Sequence, residues 1–256
     1  MAILGNNTSG SPSLNLISGY STSGSPVINL IMDDIDIVRD GLIVHYNIVD
    51  INSYDRNIGP PSTTVNDLTT YAHTGTIAGG FSFTADGGIS FDGINGALSY
   101  SLTIPEAMTH IIFAKSNATL WSNYNGLGAN RGPNGWSMHT WQSSTDVTFG
   151  WNDNLGASVV YTTITPTVDI QLPHLYAITT DGSTNHKAYI DDVEYNMPGT
   201  MVRDSLTTDF MHIANDDAPY NSRFTDLTAY VHLVYDRQLS KAEIIQNYKA
   251  IKPYFG

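Results

Sequence analysis

The chain has 256 residues, of which 41% are apolar and only 14% charged, enough to bury a sizeable core and too few charges for a coiled coil, a helical repeat or an acidic disordered tail. Eleven Lys and Arg against 24 Asp and Glu give a net charge of −13, a field that repels phosphate backbones and anionic lipid, so neither nucleic acid nor membrane is an expected partner. Without cysteine there is no disulfide, thiolate nucleophile or zinc–thiolate site, and no apolar run approaches membrane-spanning length.

In chain order, residues 1–32 come first and contain no Asp, Glu, Lys, Arg or His. Ser9–Ile17 recurs as Ser23–Ile31, identical at seven of nine positions with a period of 14. Two copies are too few for a solenoid, and a flexible low-complexity leader is one reading. A solvated leader usually carries charge, however, whereas this one sets short apolar strands between Gly/Ser turns. We therefore expect residues 1–35 to form an extended arm, with Leu14, Asn15, Leu16 and Ile17 in one copy and Ile28, Asn29, Leu30 and Ile31 in the other docking on a partner surface.

Residues 36–256 are expected to fold as one β domain. Short runs rich in Val, Ile, Thr, Tyr, Phe and Trp, from Gly41–Asp50 to Leu227–Tyr235, are broken by Gly, Asn, Asp and Pro clusters, which is the pattern of antiparallel structure. About a dozen strands are predicted, and the Gly-rich piece Gly126–Gly132 reads as a loop. Leu227, Ala229, Val231, Leu233 and Tyr235 share one face of the last strand, its predicted core side. Ser240 and Glu243 then form a capping box before Ile244, Ile245, Tyr248 and Ile251, so a C-terminal helix should plug the sandwich.

The order of pieces resembles the laminin G-like branch of the concanavalin A-like lectin and glucanase superfamily. The strand Gly41–Tyr46 is followed by Gly75–Ile77 and Gly88–Gly93, then by the hairpin His186–Asp192, by His212–Asp216 and by the ending Val234–Tyr248. The resemblance spans about residues 38–256 and implies an all-β, antiparallel two-sheet jelly-roll sandwich. It departs from the family pattern at Asp191–Asp192, where a hairpin usually carries Asp-Gly, and the repeated arm lies outside it. Such domains are commonly non-catalytic modules that bind glycans or proteins, and relatives of this type occur in structural proteins of bacteriophages and large viruses. Laminin G-like relatives often hold calcium at the rim, which would make Asp216 and Asp217 the first ligands to test; turn formation is the competing role for those residues. No other cofactor is implied.

The superfamily's enzymatic branch hydrolyses glycosides with two carboxyls about 5–5.5 Å apart in retaining enzymes. Only Glu106, Glu194 and Glu243 are present, with no alternating Glu/Asp run. Of the Asp candidates, Asp191/Asp192 are adjacent and would point to opposite faces of a strand, and in Asp34/Asp36 the first residue begins near the arm. There is no Gly-x-Ser-x-Gly elbow and no His-Glu-x-x-His pair, so no catalytic residue is assigned. Sugar recognition needs aromatic faces beside planar polar groups. Trp121, Tyr124, Arg131, His139, Trp141 and Asn152 are the glycan-binding candidates, with core packing as the competing role for the tryptophans.

The leading expectation is a virion structural protein, a capsid-decoration, cement or fibre-type subunit assembled in the host cytoplasm. Its arm would hold a capsid protein or other virion protein, its sandwich would be displayed outward with a cell-surface glycan as a further partner, and it would form a homo-oligomer, with a trimer as one form. The alternative is an extracellular lectin-like module without an assembly role, and a diverged glycosidase stands third.

Overall fold

Alternating apolar residues form strands only where two faces find partners, and a computed structural model shows how these do. It describes residues 15–20, 26–31, 36–50, 52–54, 63–121, 126–130, 132–140, 144–152, 158–201, 208–216 and 223–255. In chain order the strands are β1 (Asn15–Tyr20), β2 (Pro26–Ile31), β3 (Leu42–Asn47), β4 (Thr64–Val65), β5 (Gly75–Ala78), β6 (Phe81–Phe83), β7 (Ile89–Phe91), β8 (Ala97–Thr103), β9 (Met108–Ser116) and β10 (Gly126–Asn130). They continue as β11 (Trp136–Thr140), β12 (Val147–Asn152), β13 (Ser158–Ile164), β14 (His174–Thr180), β15 (His186–Ile190), β16 (Val193–Asn196), β17 (Thr208–Ile213), β18 (Asn215–Asp216), β19 (Arg223–Phe224) and β20 (Leu227–Tyr235), before the helix α1 (Lys241–Ile251).

Two large antiparallel sheets face each other, as the two-sheet sandwich required. Sheet I runs β13-β12-β11-β10-β17-β8-β5-β4. Sheet II runs β16-β15-β14-β9-β20-β7-β6, with β3 also on β20. β9 covers one edge of β20 along its length, while β7 takes Thr228–Ala229 and β3 takes Val231–Tyr235 on the other. Between the sheets lies one core, containing Trp121, Trp136 and Trp151 with Tyr46, Tyr100, Phe149 and Met211.

The expected Gly126–Gly132 loop is corrected: Gly126–Asn130 is an interior strand of sheet I, bonded to β11 and β17. Its glycines are required by close packing. A Cβ on Gly128 would stand 2.6 Å from Ile112 Cδ1 and 2.8 Å from the Trp136 ring.

The single core side expected for Leu227–Tyr235 is also corrected, because β20 is buried on both faces. A register shift between Ala229 and Val231 changes its parity. Leu227, Ala229 and Val234 belong to the inter-sheet core, whereas Val231, Leu233 and Tyr235 lie on the outer face of sheet II beneath α1.

The capping box forms as read: Ser240 caps the Glu243 N–H, and the Glu243 carboxylate accepts from the Ser240 N–H at 2.8 Å. Glu243 also holds Arg237 Nη2 at 2.6 Å. Ser240→Ala is expected to lower stability by about 1 kcal/mol, read as a shifted urea midpoint at unchanged slope. The helix is pinned by Asn247 as well as by its aliphatic face. Fully buried, Asn247 accepts from the Val38 N–H at 2.8 Å and donates to Tyr235 Oη at 3.1 Å, joining helix, central strand and N-terminal segment.

The two repeat copies meet each other. β1 and β2 pair antiparallel as a two-stranded sheet, with Leu16 opposite Leu30, Asn15 opposite Ile31 and Ile17 opposite Asn29. The paired strands are thus pseudo-two-fold about equivalent leucines; Leu14 lies outside the described residues.

Candidate functional site

The strands holding the tryptophans build the interior of sheet I. Trp121, 2% exposed, donates its backbone N–H to Ser144 O at 2.9 Å and its indole N–H to Thr145 O at 3.2 Å, closing the turn before β12. Trp136 lies flat on His110, ring centroids 4.0 Å apart, and Trp151 is fully buried. Asn152, also 2% exposed, donates its N–H to Gly135 O and its amide to Gly132 O. The expectation that Trp121 and Asn152 contact a glycan is therefore corrected: the residues serve packing and turn closure and show a ligand almost no surface. Tyr124, Arg131 and Trp141 lie outside the described residues.

His139 is different. β11 sends Trp136 and Met138 into the core, so the intervening Ser137 and His139 project to the outer face of sheet I. The registers extend that face across the sheet. One row runs Thr64, Thr76, Ser99, His212, Ala129, Ser137, Gly150, Tyr161, each residue opposite the next in a paired strand. A second joins His139, Thr148 and Thr163, and a third joins Ser101 and Phe210. The floor is small and hydroxyl-bearing, and Ser137 Oγ is buried without a hydrogen-bond partner. Around it, Tyr161 is 62% and Phe210 59% exposed, while His139 and His212 are half-buried. Sequence reasoning missed Tyr161, Phe210 and His212, since strand register alone brings them to one face. Their parity opposite the core residues Val160, Met211 and Ile213 was the available signal.

The three glutamates do not converge. Glu243 serves the helix cap, Glu194 lies beside Tyr189 Oη at 3.2 Å on the edge strand β16, and Glu106 packs against Gly182. Asp191 is held in a turn with φ of 56°, where it accepts from the Leu175 N–H at 3.0 Å and pairs with His174 Nδ1 at 2.8 Å. Burial alone would lower the His174 pKa, but the Asp191 hydrogen bond and charge raise it. Asp36 pairs with Arg39 at 2.9 Å. Among the described residues no three His, Asp or Glu side chains cluster as a metal site. Of the two calcium candidates, Asp216 lies on β18 opposite Arg223, and Asp217 lies outside the described residues.

No protein-family model matches the chain, and no curated protein matches it. Solved structures do match in fold. The binding domain of botulinum neurotoxin DC in complex with SialylT aligns at 13% identity with a TM-score of 0.60, covering 83% of this chain and 52% of that one. The binding domain of Paraclostridial Mosquitocidal Protein 1 aligns at 12% identity and a TM-score of 0.60, over 81% of this chain and 52% of its own. The neurotoxin DC binding domain in complex with rat synaptotagmin II gives 13% identity and 0.60, over 82% and 51%. The chain thus spans about half the length of these structures, and at such identities the likeness is one of fold, a two-sheet β-sandwich.

Proposed function

We propose that the chain is a non-catalytic recognition module that binds carbohydrate on the outer face of sheet I. The observation that carries this reading is one sheet face that brings exposed Tyr161 and Phe210 together with half-buried His139 and His212 and the exposed hydroxyls of Ser101 and Thr163. Aromatic faces take the apolar side of a sugar ring while hydroxyls, imidazoles and backbone groups take its polar edge. The three glutamates lie apart, which supports a non-catalytic reading, since glycoside hydrolysis uses a facing carboxyl pair. Fold likeness to binding domains captured with SialylT and with synaptotagmin II supports recognition of glycan or receptor, and the motif order supports a place in the laminin G-like branch.

On a glycan array the full chain is expected to bind, and Tyr161→Ala to weaken binding about tenfold at unchanged melting temperature. A blank array for the unaltered chain would end this reading.

A second reading concerns location. Among the described residues, β1 and β2 pair only with each other, which leaves one edge of each strand of the kind by which strands add to another protein. In this reading the pair anchors the sandwich to a virion protein within a homo-oligomer, and the sandwich faces outward. Deleting residues 1–35 should leave a folded sandwich that no longer assembles; unchanged assembly would refute the anchor.

A further inference from the structure

The outer face of sheet II is covered by α1, whose apolar cluster takes in Leu42 at the start of β3 but neither His45 nor Asn47 further along that strand. His45 and Asn47, in register with Leu233 and Val231, point to that outer face. With Val231 they floor a cleft of about 480 Å³ whose walls are residues 36–39 on one side and the end of the helix with Tyr254 and Phe255 on the other. That volume is in the range of small-molecule sites.

His45 is the informative group. It is 8% exposed, its backbone N–H donates to Asp67 Oδ1 at 2.9 Å, and its Nδ1 has no partner. Leaving a buried polar atom unpaired is unfavourable, and such atoms call for a bound water, ion or ligand. We propose that this cleft is a second carbohydrate site, taking a neutral hexopyranose whose ring packs on Tyr254 and Phe255 and whose hydroxyls pair with His45 and Asn47. The ligand class rests on the carbohydrate reading above; the residues are on the opposite face of the sandwich.

The neighbouring charges select a neutral ligand. Asp36 already holds Arg39 at 2.9 Å, and Asp50 Oδ1 is engaged by both the backbone and side-chain nitrogens of Asn52, so no idle carboxylate waits for an amine. Two carboxylates in the lining and a net charge of −13 oppose an anion. Burial, aided by Arg39, keeps the His45 imidazole neutral, with a pKa pushed down to about 4, so it offers a hydrogen bond rather than a charge. A hydroxyl, both donor and acceptor, suits a neutral imidazole in either tautomer and both ends of a carboxamide. Tyr254 is 68% exposed at the rim, an aromatic surface without cover.

The test is calorimetry and saturation-transfer NMR on the full chain with methyl glycosides of glucose, galactose, mannose and N-acetylglucosamine at millimolar concentration. Tyr254→Ala removes an exposed ring and should keep the fold, as a thermal melt will show. It should weaken the cleft site about tenfold. His45→Phe should abolish that site by filling it, with the same melt check. Protons of the bound glycoside should receive saturation from Tyr254 in the unaltered chain and lose it in Tyr254→Ala. Binding lost in Tyr161→Ala but untouched by both Tyr254→Ala and His45→Phe would overturn the cleft and leave the sheet I reading standing. Binding lost in Tyr254→Ala and His45→Phe but untouched by Tyr161→Ala would support the cleft and count against the sheet face. No binding of any glycoside would overturn the cleft, while the array decides separately for the sheet face.

Discussion

Replacing Trp136 by Ala is expected to destabilise the protein by about 3–5 kcal/mol, a loss far beyond that of any surface substitution. The indole has no solvent exposure, lies against His110 at 4.0 Å and places its N–H 3.2 Å from Met211 Sδ. Its ring also sits where Gly128 lacks a side chain, so β10 and β11 are shaped around it and cannot collapse to fill the space. A cavity of that size retains its penalty because the surrounding sheet is held by its hydrogen bonds. Urea denaturation measures the effect, and a loss under about 1 kcal/mol would mean the ring is not part of the inter-sheet core. Tyr161→Ala, by contrast, removes a surface ring and should leave the urea midpoint near its starting value.

Stability is expected to fall by about 2–4 kcal/mol between pH 7.5 and pH 5, through two buried histidines. His232 donates from Nδ1 to Ile111 O at 3.0 Å and accepts at Nε2 from Tyr100 Oη at 2.6 Å, an arrangement that needs the neutral ring. Burial pushes its pKa down to about 3, and burial with Arg39 pushes His45 to about 4. In the unfolded chain both titrate near the ordinary 6.5 and take up protons that the fold refuses, so stability drops as pH falls below 6.5. At pH 5 each contributes about 2 kcal/mol of loss. His174 opposes them: its raised pKa favours the fold on acidification, because the protonated ring pairs with Asp191. Glu243, lowered to about 2 chiefly by Arg237, weakens the fold only in more acid solution, as pH falls from its ordinary range towards 2. Urea midpoints across this range, with His45→Gln flattening the slope by about one proton, provide the measurement. A midpoint flat or rising towards pH 5 would contradict it.

Much of the fold was legible because alternation and turn chemistry are local. The strands around Ala97–Leu102, His174–Thr180 and His186–Ile190 announced themselves, as did the Ser240–Glu243 box. β10 did not, since Gly128 is dictated by the Trp136 ring on the next strand and by Ile112 in the facing sheet. The parity change in β20 was hidden because a bulge is a property of the pairing, and every residue on both sides of it is apolar or aromatic apart from Thr228 and His232. The binding candidates were harder still. Trp136 and His139 share one strand, and nothing local says which parity faces water. Tyr161, Phe210 and His212 come from strands whose neighbours are set by the whole sheet order. His45 was masked by its setting in an apolar run that reads as core, whereas it faces a gap left by the reach of a helix at the far end of the chain.

The bulge in β20 ties two otherwise separate oil layers to a single ribbon of backbone. Leu227 and Ala229 hold it from inside, Val231, Leu233 and Tyr235 from beneath α1, and Asn247 fastens the lid to both Val38 and Tyr235. Peeling the helix away would bare the middle strand of sheet II and strand the Val38 amide at once. Lid and sandwich therefore melt together, as one cooperative body.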